Sequence, residues 1–260
     1  MFCIACQKKR EKLAKSHVIP NFIRKRIAGE LDKQGHKRYK FNWIDRQDLP
    51  KQDLPKPNLM CQECDSKLGD LIENKMASLI MPPNVDDLEQ WKSMPIEPFS
   101  LDEVFDSQFF VGKYRYPLAE SKLLRKFATS VAWRALHSMK LDDRKLSTQF
   151  LNSQRGKNID GSVRRYVFEN EDMTEILPAQ LYYLGHNFAN FLTDKDDEMP
   201  FGWAELGESE EILGVGVILG YWMILWPVFE SKPIEYFDKL VRLEQICFIN
   251  WVAEFRSQLN

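Results

Sequence analysis

Several features that would place this chain in a special class are missing from its sequence. No stretch is rich in Gly and Ser, low in complexity or repeated at a fixed period, which argues against long disordered segments and against solenoid or propeller repeats. The first residues also lack the apolar core of a secretory signal. With 44% hydrophobic and 28% charged residues, the composition is typical of a soluble folded protein, which we expect to be cytoplasmic.

The chain has little net charge, but its charges are unevenly distributed. Its formal net charge is −2, yet residues 1–80 contain 17 Lys and Arg against 10 Asp and Glu, whereas the remaining residues contain 19 against 28. A basic N-terminal part predicts a polyanionic partner such as nucleic acid. The alternative is that the two parts neutralise each other across an internal interface.

One long apolar run is present, at Ile212–Phe229, and it carries no charge over about the thickness of a bilayer. Glycines interrupt this run, Pro227 lies near its end, and acidic rather than basic residues precede it. Fully buried strands have continuous apolar sequences of this kind. We therefore predict two buried strands joined near Gly220–Tyr221 rather than a transmembrane helix.

The clearest periodic segment predicts a helix over residues 121–140. Ser121 can cap its N-terminus, and apolar residues recur at helical spacing as far as Met139. Trp133, Arg134 and His137 could form a face that binds a ligand or nucleic acid, or they could be an ordinary exposed surface. Since most polar helix faces are solvated, we favour the exposed surface.

Shorter signals predict the remaining elements and the organisation of the chain. The class is α+β, with a zinc-binding module at 1–80, a proline-rich extended connector at 81–120 and a body at 121–260 in which helices pack against a small antiparallel sheet. The elements predicted are a basic helix at Asn21–Glu30, a strand at Phe109–Tyr116, a helix at Arg144–Ser153, a loop at Gln154–Gly161, a β-prone segment at Val163–Phe168 and a final helix from Pro233 toward Phe255.

Cysteine is scarce, and four of the five cysteines form two CxxC pairs. Cys3 with Cys6, and Cys61 with Cys64, each present two sulfurs from one turn, and two such turns complete the tetrahedral thiolate set that zinc prefers. A redox CxxC usually starts a helix after a strand, which does not describe Cys3. We therefore predict one structural zinc ion, and we expect the fifth cysteine, Cys247, to be a small buried hydrophobe.

Further motifs occur in a fixed order around the second CxxC pair. Residues 15–20 are KSHVIP, and residues 58–70 are NLMCQECDSKLGD. Together with the first pair, this order resembles HNH endonucleases of the four-cysteine type, which have a zinc-stabilised ββα-metal fold. The resemblance covers residues 1–80. It implies a metal-dependent endonuclease that hydrolyses phosphodiester bonds in nucleic acid, with DNA favoured over RNA, from a group often found in mobile elements or antiviral defence.

The resemblance implies roles for three residues. His17 matches the general base that activates water, and Asn58 matches the residue that braces the hairpin and orients this histidine. Asp65 matches the residue that binds a catalytic Mg²⁺ or Mn²⁺. Each also has a purely structural alternative: His17 as a packed histidine, Asn58 as a turn residue and Asp65 as a helix N-cap.

Two departures from the family pattern leave a non-cleaving version open. Ser16 stands where the family commonly has an acidic metal ligand, and Asp65 stands where it usually has His or Asn. Asp70 or Glu73 could complete the ligand set, because they follow Asp65 by about one and two helical turns. His36 lies in a polar basic segment, so we expect it to be solvated rather than catalytic.

These observations support three functions. The first is the HNH-type nuclease, and the second is a degenerate zinc module that binds nucleic acid or a protein partner. The third is an assembly role, with homo-oligomer or partner contacts through the C-terminal body. The residues expected to bind nucleic-acid phosphates are Lys15, Arg24, Lys25, Arg26 and Lys67.

Overall fold

The computed structural model describes residues 1–28, 40–43, 54–85, 89–90, 97–99, 112–115, 118–173, 178–183, 198–208 and 210–229. Its strands are β1 (Lys40–Trp43), β2 (Glu97–Phe99), β3 (Gly112–Arg115), β4 (Gln180–Tyr183), β5 (Glu198–Glu208), β6 (Glu211–Leu219) and β7 (Trp222–Pro227). They form one seven-stranded sheet in the order β1-β5-β6-β7-β4-β3-β2. Neighbouring strands are antiparallel apart from β1 and β5, which are parallel.

Some of the described helices lie in the N-terminal part of the chain, and others pack against the sheet. They are α1 (Asn21–Ala28), α2 (Gln62–Leu68), a π-helical turn (Gly69–Glu73), α3 (Asn74–Ile80), α4 (Leu118–Leu141), α5 (Lys145–Asn152) and α6 (Gln154–Phe168). The π-helical turn joins α2 to α3 without a break. The mixture of helices with an antiparallel sheet confirms the predicted α+β class, and the helices predicted at 21–30, 121–140 and 144–153 are observed as α1, α4 and α5.

The apolar run folds as the predicted strand pair. Every residue of 212–229 is buried, and β6 pairs with β7 from Gly214 opposite Pro227 to Leu219 opposite Trp222. Gly220 turns the chain between them with φ of 70°, a left-handed conformation that suits glycine. A Cβ on Gly220 would lie 2.4 Å from Cδ1 of Ile27. The turn therefore favours glycine for its backbone, and a Cβ there would also require the Ile27 side chain of α1 to move.

Helix α4 packs against both the sheet and neighbouring helices. It contacts β4, β5, β6 and β7 on one side and α3, the π-helical turn, α5 and α6 on the other. Trp133 and Arg134 are almost fully buried, so the interpretation of an ordinary exposed surface is wrong. The polar side of α4 is covered because other helices pack on it. The helix also begins before Ser121, which therefore does not cap it.

The predictions of a loop at 154–161 and of a β-prone segment at 163–168 are both wrong, because residues 154–168 form helix α6. Ser153 is the N-cap of α6, and its hydroxyl accepts a hydrogen bond from the Gly156 N–H at 2.9 Å. The buried side of α6 is formed by Gly156, Ile159, Ser162, Val163, Tyr166 and Val167, which recur at helical spacing. Packing of this side overrides the β propensity of the segment.

All three predicted regions contribute to the sheet. Residues 40–43 form β1, residues 97–99 and 112–115 form β2 and β3, and the remaining strands come from the body. The strand predicted at 109–116 is observed as β3. Among the described helices, none combines the length and apolarity needed to cross a membrane. The predicted final helix at 233–255, His36 and Cys247 lie outside the described residues.

Candidate metal centre and its surroundings

The four paired cysteines meet in one cluster. Their sulfur atoms all lie within 4.8 Å of one another. The Sγ atoms of Cys6 and Cys61 are 4.0 Å apart, far beyond the disulfide bond length of about 2.05 Å. In a tetrahedral site with Zn–S distances of about 2.3 Å, sulfurs lie about 3.8 Å apart. The cluster is close to that size, so the four sulfurs could hold one zinc ion.

Local backbone geometry brings the two pairs together. In the first turn, the Cys3 N–H donates to the Lys8 carbonyl at 3.1 Å, and Gln7 adopts a positive φ of 56°. In the second, Cys61 precedes the first residue of α2, and its N–H donates to the Sγ of Cys3 at 3.3 Å. The Ile4 N–H donates to the Leu59 carbonyl at 3.0 Å. This hydrogen bond joins the first cysteine turn to the residues that lead into the second.

The electrostatics of the cluster favour a bound cation. Burial raises the pKa of Cys64, and the neighbouring sulfurs of Cys61 and Cys3 raise it further. Burial also acts to raise the pKa of Cys6, but the backbone at Lys8 and the other cysteines lower it to about 7. Four sulfurs this close cannot all be thiolates unless positive charge compensates them, and a divalent metal ion supplies that charge.

His17 and Asn58 lie on two neighbouring extended segments. Lys15 and Asn58 form an antiparallel β-bridge. The Ser16 N–H donates to the Pro57 carbonyl at 3.1 Å, and the Ala14 N–H donates to the Met60 carbonyl at 2.8 Å. Asn58 is exposed and His17 is half-buried. The segment that carries the histidine therefore runs beside the segment that leads into the second cysteine pair.

Asp65 lies inside helix α2 rather than at its start. The helix begins at Gln62 with Cys61 as the N-cap, and the Asp65 N–H donates to the Cys61 carbonyl at 3.0 Å. The N-cap interpretation of Asp65 is therefore wrong. Its carboxylate is partly exposed on the first turns of the helix. Among the residues that the structure describes, the four cysteines are the one group of three or more potential metal ligands that lie this close together, and Asp65 is not part of it.

A buried arginine from α4 contacts the segment that carries His17. One terminal nitrogen of Arg134, Nη1, donates to the backbone carbonyl of His17 at 2.7 Å. The other, Nη2, pairs with Oε1 of Glu73 at 2.8 Å. Glu73, one of the two residues suggested as an extra metal ligand, is thus engaged by a cation of the protein itself. Sequence patterns did not predict this contact, because its partners lie far apart along the chain.

A second polar cluster lies between α4 and α6, around Asp160. Oδ1 of Asp160 accepts from Nε1 of Trp133 at 2.7 Å and lies 2.8 Å from Nε2 of His137, while Oδ2 pairs with Arg164. Burial acts to raise the pKa of Asp160, but hydrogen bonds from His137 and Trp133 and the charge of Arg164 hold it below its ordinary value. The cluster joins the two helices through an ionised carboxylate.

The five predicted phosphate-binding residues occupy different environments. Lys15, Lys25 and Lys67 are exposed. Arg24 donates from Nε to the Asn21 side chain at 2.7 Å. Arg26 turns inward and donates to the carbonyls of Ala77 and Met81 at the C-terminal end of α3, and burial lowers its pKa. The exposed lysines are therefore the members of the set best placed to meet a phosphate from solvent.

Comparison with known proteins gives no match, since no protein-family model, curated protein or solved structure matches the chain.

Proposed function

We propose that the chain is a metal-dependent endonuclease of the HNH type, which hydrolyses phosphodiester bonds in nucleic acid and prefers DNA to RNA. One arrangement carries the proposal. The segment with His17 runs antiparallel to the segment with Asn58, and the second segment leads directly into the cysteine-anchored helix that carries Asp65. The order of the histidine segment, the asparagine segment and the helix along the chain is the one that the resemblance to ββα-metal nucleases implies, and it supports the proposal.

In this proposal each of the three residues has one role. His17 removes a proton from the attacking water, because a neutral imidazole is a good proton acceptor near neutral pH. Asn58, across the bridge from Lys15, braces the segment that presents the imidazole. Asp65 offers an oxygen ligand to a Mg²⁺ or Mn²⁺ ion, which would supply positive charge to the scissile phosphate. The zinc cluster holds the second segment and the start of α2 in place.

Replacing His17 with alanine is expected to abolish cleavage while the protein stays folded. Loss of a general base typically costs about 100-fold or more in rate. The measurement is cleavage of mixed DNA and RNA substrates with Mg²⁺, Mn²⁺ or excess EDTA, after one zinc ion per chain has been verified. His36→Ala is the matched control and should cleave at the wild-type rate. A His17→Ala protein that cuts as fast as wild type would remove His17 from this role.

A second candidate function is a zinc module that binds nucleic acid without cutting it. Two observations favour it: the Glu73 carboxylate pairs with Arg134, and the described residues contain no second cluster of three metal ligands. In this case the exposed lysines near the cysteines would still bind phosphates. Folded, zinc-loaded wild-type protein that binds DNA but cuts neither DNA nor RNA with any metal would support this candidate against the nuclease.

Either function predicts a salt-dependent interaction through the N-terminal lysines. The double variant Lys15→Ala/Lys67→Ala should weaken binding, and the slope of log K against log salt should become shallower by about 0.9 for each phosphate that the variant no longer neutralises. The measurement is fluorescence anisotropy with labelled DNA across a salt series. The control, Lys122→Ala/Lys145→Ala, removes two exposed lysines of the body that pair with Asp172 and Glu210. Equal slopes for both variants would count against an N-terminal nucleic-acid surface.

A further inference from the structure

Among the residues that the structure describes, Arg134 is the most completely buried charged side chain. Only 2% of it is exposed. Its Nε donates to the Ser130 carbonyl at 3.2 Å, its Nη1 to the His17 carbonyl at 2.7 Å, and its Nη2 contacts Glu73 Oε1 at 2.8 Å. The planar guanidinium thus spans three elements in one fixed orientation: α4, the extended segment at His17 and the π-helical turn.

The backbone at His17 is held on both sides. Before it, Ser16 is fully buried and its N–H donates to Pro57. After it, Val18 is fully buried, and the carbonyl of His17 itself is held by Arg134. Arg134 thus holds the peptide group that follows His17, while the Ser16 hydrogen bond holds the peptide group between Lys15 and Ser16. The two contacts limit how far the backbone that carries the His17 side chain can move.

Glu73 reaches the same guanidinium from an irregular part of the long helix. It is the last residue of the π-helical turn Gly69–Glu73, which lies against α4. A π-helical turn inserts an extra residue into a helix and changes the direction of the side chains that follow it, and such turns are frequent at functional sites. Here the turn brings Glu73 to Arg134. The ion pair links the helix that carries Asp65 to the segment that carries His17.

We propose that Arg134 is a positioning residue for His17, and that helix α4 of the body therefore belongs to the same functional unit as the N-terminal module. This inference rests on the proposed nuclease function. In this proposal Arg134 does not contact the substrate. It holds the backbone carbonyl of His17 and contacts the carboxylate of Glu73, and so sets where the backbone of the general base lies relative to the helix that carries Asp65.

The test compares cleavage by full-length wild type with the variants Arg134→Gln and Arg134→Lys. A misplacement of about 1 Å at a reacting group can cost about 100-fold in rate, so Arg134→Gln should lower kcat by about 10- to 100-fold and leave KM close to wild type. Arg134→Lys should recover only part of kcat, because an ammonium group keeps the charge but lacks the fork that reaches two acceptors. Zinc content and circular dichroism report whether each variant is folded.

Two further variants keep the proposal falsifiable. If Arg134→Gln does not fold, Glu73→Gln removes the ion pair at constant side-chain size, and it should lower kcat in the same direction. Arg164→Gln is the matched control: it removes another arginine that is paired with a carboxylate, Asp160, in the body. This control should retain the wild-type kcat.

The outcomes separate this inference from the proposed function. Active wild type with a selective loss of kcat in Arg134→Gln or Glu73→Gln supports the positioning role. If wild type is active and folded Arg134→Gln keeps the full kcat, the positioning role is overturned and the nuclease function is retained. The same conclusion follows if Arg164→Gln loses as much kcat as Arg134→Gln. Wild type that cuts no substrate with any metal overturns both.

Discussion

Cys61→Ser is expected to lose the metal ion and to unfold the N-terminal part of the chain. Cys61 is almost fully buried, precedes the first residue of α2 and donates its N–H to the sulfur of Cys3. It therefore links the two cysteine pairs and fixes the start of the helix that carries Asp65. Structural zinc sites in small peptides contribute on the order of 10–16 kcal/mol of apparent binding free energy, so losing one ligand of four should have a large effect.

The measurement is zinc stoichiometry by atomic absorption, combined with thermal unfolding before and after chelation by EDTA. Wild type should contain one zinc ion per chain and should lose folded structure when a chelator removes it. Cys247→Ser is the control, because this cysteine lies outside both CxxC pairs, and it should retain the metal. A Cys61→Ser protein with unchanged metal content and unchanged melting temperature would contradict the four-cysteine site.

Gly156→Ala is expected to destabilise the protein by about 3 kcal/mol or more, at the upper end of the cost of overpacking. Gly156 lies in the first turn of α6, where the chain turns sharply after α5. A Cβ at this position would lie 1.8 Å from the carbonyl oxygen of Phe150 and 3.1 Å from the Cα of Leu151. Both neighbours are backbone atoms, so no side-chain rotation can relieve the overlap. The junction of α5 with α6 would have to open.

Gly161→Ala, in the same helix, is the matched control and should have the opposite effect. Around a Cβ at position 161, the nearest atoms are the guanidinium tips of Arg165 and Arg164, at 3.5 and 3.6 Å. Because alanine favours a helix over glycine by about 1 kcal/mol, this variant should be slightly more stable than wild type. Urea unfolding of the three proteins gives the comparison. Equal midpoints for the two variants would mean that the α5–α6 junction is not packed as described.

Local patterns in the sequence were sufficient for several elements. Two CxxC pairs predict a shared metal site, because each pair presents two sulfurs from one turn and zinc prefers four such ligands. The uncharged run at 212–229 can be stable only inside the protein, and its glycines favour a strand pair with a turn at Gly220. The apolar periodicity of 121–140 extends over enough turns to predict α4.

Other features depended on what packs against each segment. The two glycines at 156 and 161 favour a loop by propensity alone, yet the segment is helical because Ser153 caps it and its apolar side packs in the core. The polar side of α4 gives the pattern of a solvated face. This side of α4 is buried because α6 and the π-helical turn pack against the helix.

The sequence by itself determined the four cysteines of the candidate metal site, the long helix α4 and the buried strand pair, because each depends on spacing or composition within a short window. Only the tertiary structure decided that Arg134 reaches His17, that Glu73 pairs with it, and that Trp133 and His137 meet Asp160. Arg134 and His17 are separated by 117 positions along the chain. Contacts over such distances are set by how whole helices and strands pack, and no local pattern of residues contains that information.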